Sequence, residues 1–236
     1  MIIPTYNERG NIERLIPKLQ EVFTTIKEFD MNILVVDDNS PDKTYEAVEE
    51  FSKKHKNVFL LKREKKEGLG AAYLAGFDYA INNIKADVIV QMDADFSHNP
   101  EVMPRLIGYI KDYDLVIGSR YVEGGGVVNW SLTRKAISKG GNFFARVVAD
   151  LKGVNDCTSG YRAMRVDLVK KMNKQNINIY GYAFLMSLLH EAKKNKARIK
   201  ETPIWFVDRT EGSSKMGIKD IAQFFLMCFR FRIKNL

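Results

Sequence analysis

The sequence is poor in the residues that build metal cages and covalent staples: 236 residues hold two cysteines, Cys157 and Cys228, and three histidines, His55, His98 and His190. The cysteines form neither a C-x-x-C pair nor a disulfide framework, and the histidines lack metal-ligand spacing. Reduced thiols are expected, and zinc is not. Acidic residues are in deficit, with 29 Asp+Glu against 37 Lys+Arg and a formal charge of +8. That balance favours anionic partners, whether phosphates, acidic lipid headgroups or nucleic acid, and charge alone does not choose among them. No stretch reaches the roughly 18 apolar residues that span a bilayer. The start, Met1-Ile2-Ile3-Pro4-Thr5, has neither the basic region nor the apolar core of a signal peptide. Gly68-Leu69-Gly70 precedes a helical pattern, but Tyr73 stands where a dinucleotide loop needs its third glycine, and no G-x-x-x-x-G-K occurs. No repeat, low-complexity tract or linker interrupts the chain. At 45% hydrophobic and 28% charged residues, it reads as one large α/β domain, possessing enough chain for a sizeable core.

What is present alternates between strand and helix. Ile2-Ile3 is a strand stub stopped by Pro4, so short that residues are missing upstream or the edge is abbreviated. Apolar positions Ile12, Leu15, Ile16, Leu19, Val22, Phe23 and Ile26 then recur at helical spacing behind Asn11 as a cap. Ile33 to Val36 is a buried strand closed by the turn Asp37-Asp38-Asn39-Ser40-Pro41-Asp42. A helix over 44–54, a strand over 58–61, a helix from Gly68 to about Asn82, the strand Val88–Met92, a helix near Pro100 and the strand Leu115–Gly118 follow. Such alternation predicts a mostly parallel sheet with right-handed crossovers. Beyond it come a flexible loop at Glu123–Gly126, a turn at Trp130–Thr133, a helix from Arg134 to Leu151, a turn entering a short strand at Asp156–Arg162, and helices over 166–173 and 184–194. A late strand, Arg198–Phe206, is broken at Pro203 and so belongs at an edge or a bulge. The polar loop from Asp208 to Lys215 has the composition of a mobile lid.

The chemistry concentrates in Val88-Ile89-Val90-Gln91-Met92-Asp93-Ala94-Asp95-Phe96-Ser97-His98. An apolar strand ends in two carboxylates one residue apart, at the edge of the sheet where α/β proteins bind ligands. Residues i and i+2 of a strand share a side, so Asp93 and Asp95 face one another, which costs repulsion unless a cation joins them. A hard divalent ion, Mg²⁺ or Mn²⁺, suits one or two carboxylates completed by diphosphate oxygens. An isolated D-x-D can equally be a strand end followed by a helix cap.

Pro4-Thr5-Tyr6-Asn7-Glu8, Val36-Asp37-Asp38-Asn39-Ser40-Pro41-Asp42, Met92-Asp93-Ala94-Asp95 and Gly118-Ser119-Arg120-Tyr121 together resemble the inverting glycosyltransferases of family 2, with the GT-A fold. More narrowly, Ser97-His98, Trp130 with Arg134 and Ser138, Thr158-Ser159-Gly160-Tyr161-Arg162, Gly181-Tyr182, and Pro203-Ile204 leading to Arg209 and Gly212-Ser213-Ser214-Lys215 resemble the polyprenyl-phosphate (dolichol-phosphate) mannose synthases. The resemblance covers almost the whole chain. It implies that Pro4, Tyr6, Glu8, Val36 and Asp38 hold the base and ribose of a GDP-mannose donor. It makes Asp93 and Asp95 the metal pair, with Ala94 and Ser97 beside the donor; some relatives carry Gln at the position of Ser97. Arg120, Arg134 and Ser138 match the residues that grip the phosphate of a polyprenyl or dolichyl phosphate acceptor, and Arg209 and Lys215 lie on the loop that closes over the donor. Family members with transmembrane helices exist, whereas this chain is similar to the type that works from the cytoplasmic face of a membrane, on the lipid surface or on small membrane-anchoring subunits.

The physical case runs parallel. An acceptor phosphate monoester is already ionised at neutral pH and requires no strong general base. It does require cations, and arginine offers a planar fork for phosphate oxygens. Asp95, Arg120, Arg134 and Ser138 are therefore the catalytic candidates. Other readings stand beside these: Asp37 or Asp38 as a helix cap, Arg162 as the ion-pair partner of a buried Asp, and Arg134, Lys135 and Lys139 as a solvated face. His98 reads as structural support, and Tyr161 and Tyr182 as packing. Residues 1–217 read as the catalytic domain and 218–236 as an amphipathic helix, lying in a headgroup layer or docked on the core. A UDP-glucose donor is the alternative to GDP-mannose. A nucleic-acid-binding module is suggested by charge alone and lacks RNP, zinc and helix-turn-helix signatures, so no nucleic-acid partner is expected.

Overall fold

The computed structural model describes residues 1–179, 181–208 and 218–234. Its elements are β1 (Ile2–Thr5), α1 (Arg9–Phe23), β2 (Ile33–Asp37), α2 (Thr44–Lys54), β3 (Val58–Lys62), α3 (Leu69–Tyr79), β4 (Val88–Gln91), α4 (Met103–Gly108), β5 (Leu115–Ser119), β6 (Gly126–Val128), α5 (Leu132–Val148), β7 (Arg162–Arg165), α6 (Val166–Lys171), α7 (Gly181–Lys194), β8 (Ile199–Pro203), β9 (Trp205–Val207) and α8 (Ile218–Lys234). Seven strands form one sheet in the order β3-β2-β1-β4-β7-β5-β8, in which β7 alone runs against its neighbours. The carboxyl ends of β2, β1, β4 and β5 therefore share one edge. The turn that enters β7 arrives at that same edge.

Both faces of the sheet are covered, which is why its strands read as apolar runs rather than alternations. Residues of β2 divide between the faces: Leu34 and Val36 join a cluster with Tyr73, Phe77, Phe184 and Leu189, whereas Ile33 and Val35 join one with Ile12, Ile16, Leu19 and Leu106. The stub β1 is an interior strand between β2 and β4, so the abbreviated-edge reading is corrected. Helix α1 starts at Arg9, two residues before the expected cap; Asp42 accepts the Arg9 N–H at 3.0 Å, and Asn11 bonds Glu8 at 2.7 Å.

The late strand does break at Pro203. Its first half, β8, is the sheet edge paired with β5; beyond Ile204 the chain leaves as β9 and pairs in parallel with β6, Gly126 opposite Trp205. The expected loop at Glu123–Gly126 thus ends in a strand. Only glycine fits there, because a Cβ on Gly126 would come 2.6 Å from the Trp205 ring. Helix α8 divides its apolar residues: Phe224, Met227, Cys228 and Phe231 are buried in the core, while Phe225, Leu226 and Phe229 stay exposed. The docked reading holds for the buried half of that segment. Among the described residues, no helix is long and apolar enough to cross a membrane.

Candidate active site

A cavity of about 500 Å³ lies along the shared carboxyl edge. Adjacent strands are about 4.8 Å apart, so from β2 to β5 the edge spans roughly four such steps. Its wall is built in sheet order. Asp38 follows β2, Pro4, Tyr6 and Glu8 belong to β1 and its turn, Asp93 and Asp95 follow β4, and Arg120 follows β5; all line the cavity, with Arg134 from the first turn of α5 beside them.

At the first end Asp38 pairs with Arg63 at 2.8 Å, and the Lys66 ammonium lies 3.8 Å from the centroid of Tyr6. Burial raises the Asp38 pKa, and the Arg63 guanidinium opposes that rise. Its neighbour Asp37 is turned away: it accepts the Thr5 hydroxyl at 2.8 Å and the Ser40 N–H at 2.9 Å and hydroxyl at 2.6 Å. The paired acids thus divide labour, Asp37 fastening β1 to the turn and Asp38 facing the cavity. Helix α2 is capped by neither; Asp42 accepts the Thr44 N–H at 3.0 Å.

At the centre, β4 ends at Gln91, so Asp93 and Asp95 lie in the turn beyond it and not on the strand itself. Both reach the cavity through a tight turn in which Phe96 takes φ +59°, a conformation costly for a non-glycine residue and common at functional sites. Asp95 accepts the Ser97 N–H at 3.1 Å. The Asp93 N–H donates to His98 Nδ1 at 3.1 Å, which makes Nδ1 the acceptor and leaves the imidazole hydrogen on Nε2. Burial lowers the His98 pKa, and the ring stacks on Tyr161 at 5.0 Å. The Ser97 hydroxyl is buried and has no hydrogen-bond partner among the described residues. Among the described residues, no cluster of three or more His, Cys, Asp or Glu offers a complete cation cage. Two cavity-facing carboxylates and one unmatched hydroxyl suit an ion that draws its remaining ligands from a substrate.

At the far end the two arginines differ. Arg120 Nε and Nη2 donate to Asp156 at 2.7 Å each, its backbone N–H donates at 3.0 Å, and Nη2 reaches Thr158 at 2.8 Å. Asp156 is fully buried; burial pushes its pKa up, but the Arg120 ion pair and hydrogen bonds outweigh that and hold it below the usual carboxylate range. Arg134 pairs with Asp208 and lies 4.1 Å over Trp130, with both charged side chains 27% exposed. Ser138, grouped with these by the sequence, is not among the lining residues and accepts the Tyr121 hydroxyl at 2.6 Å. Val36 is likewise absent from the cavity, its side chain packed toward α3 beneath Gly76. Arg209 and Lys215 fall outside the described residues. Arg162 pairs with no acid directly: fully buried, it donates to the carbonyls of Ser159, Leu185 and Cys157 at 2.8, 2.7 and 2.9 Å. Burial lowers its pKa to about 10. It ties the turn Cys157–Ser159 to α7.

Sequence reasoning missed Lys66, Leu69, Tyr73, Leu185 and Phe206 in the cavity wall. Lys66 sits in a run of charge that looks like a solvated loop; its place just before Gly68, which opens α3, was the available signal. Tyr73 is fully buried against Phe184, and burial followed by nearby Asp93 raises its pKa, so its phenol stays protonated.

The profile of glycosyl transferase family 2 matches residues 1–172. The chain belongs to that family. This glycosyltransferase is 43% identical over 216 residues to an undecaprenyl-phosphate mannosyltransferase of Micrococcus luteus, covering 92% of the chain and 86% of the relative. It is 40% identical to a polyprenol monophosphomannose synthase of Mycolicibacterium smegmatis, over 94% of the chain and 82% of the relative. A dolichol-phosphate mannosyltransferase of Pyrococcus furiosus is 39% identical over 98% of the chain, which spans 62% of that longer protein. Among solved structures, glucosyl-3-phosphoglycerate synthase from Mycobacterium tuberculosis superposes with a TM-score of 0.67 at 16% identity, over 99% of the chain and 78% of its own. That likeness bears on fold alone and agrees with the expected GT-A architecture.

Proposed function

We propose that this glycosyltransferase transfers mannose from GDP-mannose to the monophosphate of a polyprenyl or dolichyl lipid, giving polyprenyl-phosphate β-mannose and GDP. The observation that carries the reading is the order of groups along the sheet edge: the carboxylate Asp38, the carboxylate pair Asp93 and Asp95, then the cation Arg134. Names of the relatives at 39 to 43% identity support the lipid phosphate and the mannose.

At the donor end, Asp38 offers a carboxylate to the N–H edge of the guanine, while Tyr6, with Lys66 over its ring, walls the nucleotide. Asp93 and Asp95, helped by the Ser97 hydroxyl, would hold Mg²⁺ or Mn²⁺; when bound, the ion would supply positive charge at the departing diphosphate. The fold neighbour is itself described in complex with Mn²⁺ and UDP-glucose. At the acceptor end, Arg134 holds the lipid phosphate, and Arg120, fixed by Asp156, keeps the wall in shape and adds a compensated charge. A phosphate oxygen attacks the anomeric carbon as the bond to the diphosphate breaks on the opposite side, so one displacement inverts the centre. No proton has to be removed from a dianionic phosphate. Positioning and charge compensation then supply the rate.

The lipid tail gives the exposed apolar residues a use. Leu132, Ile137, Phe143 and Val147 of α5 and Phe225, Leu226 and Phe229 of α8 are all more than a third exposed. They lie on the helix that carries Arg134, Lys135 and Lys139 and on its packing partner, an apolar surface edged with cations that suits the cytoplasmic face of an anionic membrane. Incubation with GDP-mannose, Mn²⁺ and a short polyprenyl phosphate, followed by mass analysis of the lipid, tests the reading. One added hexose dependent on GDP-mannose is expected; no product from any donor overturns it.

A further inference from the structure

Two arginines enter the far end of the cavity, and each meets a carboxylate of a different kind. Asp156 is completely buried and accepts from the backbone and side chain of Arg120 and from Thr158. Removing it would strand a buried charge, so this pair is permanent. Asp208 differs: it and Arg134 are each 27% exposed, and Asp208 stands at the end of β9, its N–H directed to the Val128 carbonyl at 3.4 Å. The small sheet of β6 and β9 thus presents a carboxylate to the guanidinium, which also lies over the Trp130 ring, 4.1 Å from its centroid. An ion pair with this much solvent contact contributes little and exchanges readily.

We propose that Asp208 is a built-in competitor that the acceptor headgroup must displace from Arg134. The proposal rests on the reading of that headgroup as a phosphate monoester. A monoester carries nearly two negative charges at neutral pH and three acceptor oxygens, so it outbids a single carboxylate for the guanidinium fork. A phosphodiester or a carboxylate carries one charge and meets the same cost of exchange with a smaller gain, so it is held more weakly. Asp208 thus sets how tightly any anionic headgroup is held, and the charge of the headgroup sets the ranking. The same exchange keeps Arg134 oriented over Trp130 before the lipid arrives, so the cation is held in place at both stages.

The test compares two probes on the full chain: a short polyprenyl phosphate and its phosphate methyl ester, which keeps the lipid and loses one charge. Dissociation constants are measured for the native protein, Asp208→Asn and Arg134→Gln, with GDP-mannose binding in parallel as the report of a folded protein; Asp208→Ser carries the test if the Asn variant does not fold. In Asp208→Asn the monoester is expected to bind about two- to five-fold tighter, the upper part of the range that a solvent-contacting ion pair represents. The methyl ester is expected to gain no more than the monoester, because it displaces the same carboxylate and feels its charge less. Equal or weaker binding of both probes in Asp208→Asn overturns the proposal and makes Asp208 a simple support for Arg134. Arg134→Gln separates this failure from that of the parent reading: loss of monoester binding upholds Arg134 as the phosphate ligand whatever Asp208 does, and unchanged binding defeats the phosphate site itself.

Discussion

Asp95 and Asp156 are both acidic and both near the cavity, yet their environments give them opposite tasks. Asp95 lines the cavity and is expected to act on the substrate: Asp95→Ala should lower the transfer rate by about 10²–10³ while leaving the thermal midpoint nearly unchanged, measured by radiolabel transfer and by calorimetry. Asp156 is sealed against Arg120. Replacing it with Ala should cost about 3–5 kcal/mol of stability by stranding a buried guanidinium, read from urea denaturation. Because its folded pKa lies below the ordinary value of 3.8, the stability it contributes is complete above pH 3.8 and is lost as pH falls through the folded value. His98 has the same sign in a higher window. Its pKa is lowered from 6.5 by burial, so its contribution is present above pH 6.5 and drains away below it; His98→Gln should flatten the decline of the urea midpoint in that range. Asp93, Asp95 and Arg134 were legible because a D-x-D after an apolar strand and a basic helix start are local patterns. The partner of Arg120 was not legible, since Asp156 lies 36 positions away and only the sheet order brings them together. Arg162 was read as an ion-pair partner for the same reason: its three carbonyl acceptors carry no side-chain signature.

At the scale of elements, α3 and α7 approach so closely that Gly70 has no room for a side chain. A Cβ there would lie 2.7 Å from both the Ile179 Cα and the Phe184 ring, and the Gly70 N–H donates to the Ile179 carbonyl at 3.0 Å. Gly70→Ala should therefore cost about 1–3 kcal/mol through overpacking, with the loss of stability accompanied by weaker GDP-mannose binding because α3 walls the cavity. The glycine was visible in the sequence as part of a possible phosphate loop, and its job is helix packing. Strand and helix alternation up to β5 was readable since each element has its own apolar period. The β6 and β9 pair was not: three-residue strands carry no period, Gly126 looks like loop, and Trp205 and Phe206 read as the tail of one late strand. That small sheet delivers Asp208 and Phe206 to the Arg134 end of the cavity.

For the molecule as a whole, a basic chain with a candidate cavity at one sheet edge sets exposed apolar residues on α5, the helix that carries Arg134, and on α8 packed against it. Phe225 and Phe229 contact Phe144 of α5 at 4.8 and 5.7 Å between ring centroids and remain 38% and 53% exposed. Replacing both with Ser should release the protein from anionic vesicles in sedimentation while leaving transfer to a detergent-dispersed short acceptor largely intact. An unchanged vesicle partition would remove α8 from the membrane-facing surface. The most direct test of the central claim is mass analysis of a polyprenyl phosphate after incubation with GDP-mannose and Mn²⁺, run with the native chain and with Asp95→Ala. A β-linked mannosyl phospholipid from the native chain and almost none from the variant is the expected result. A glucosylated lipid formed from UDP-glucose in its place, or equal product from both proteins, would contradict the account.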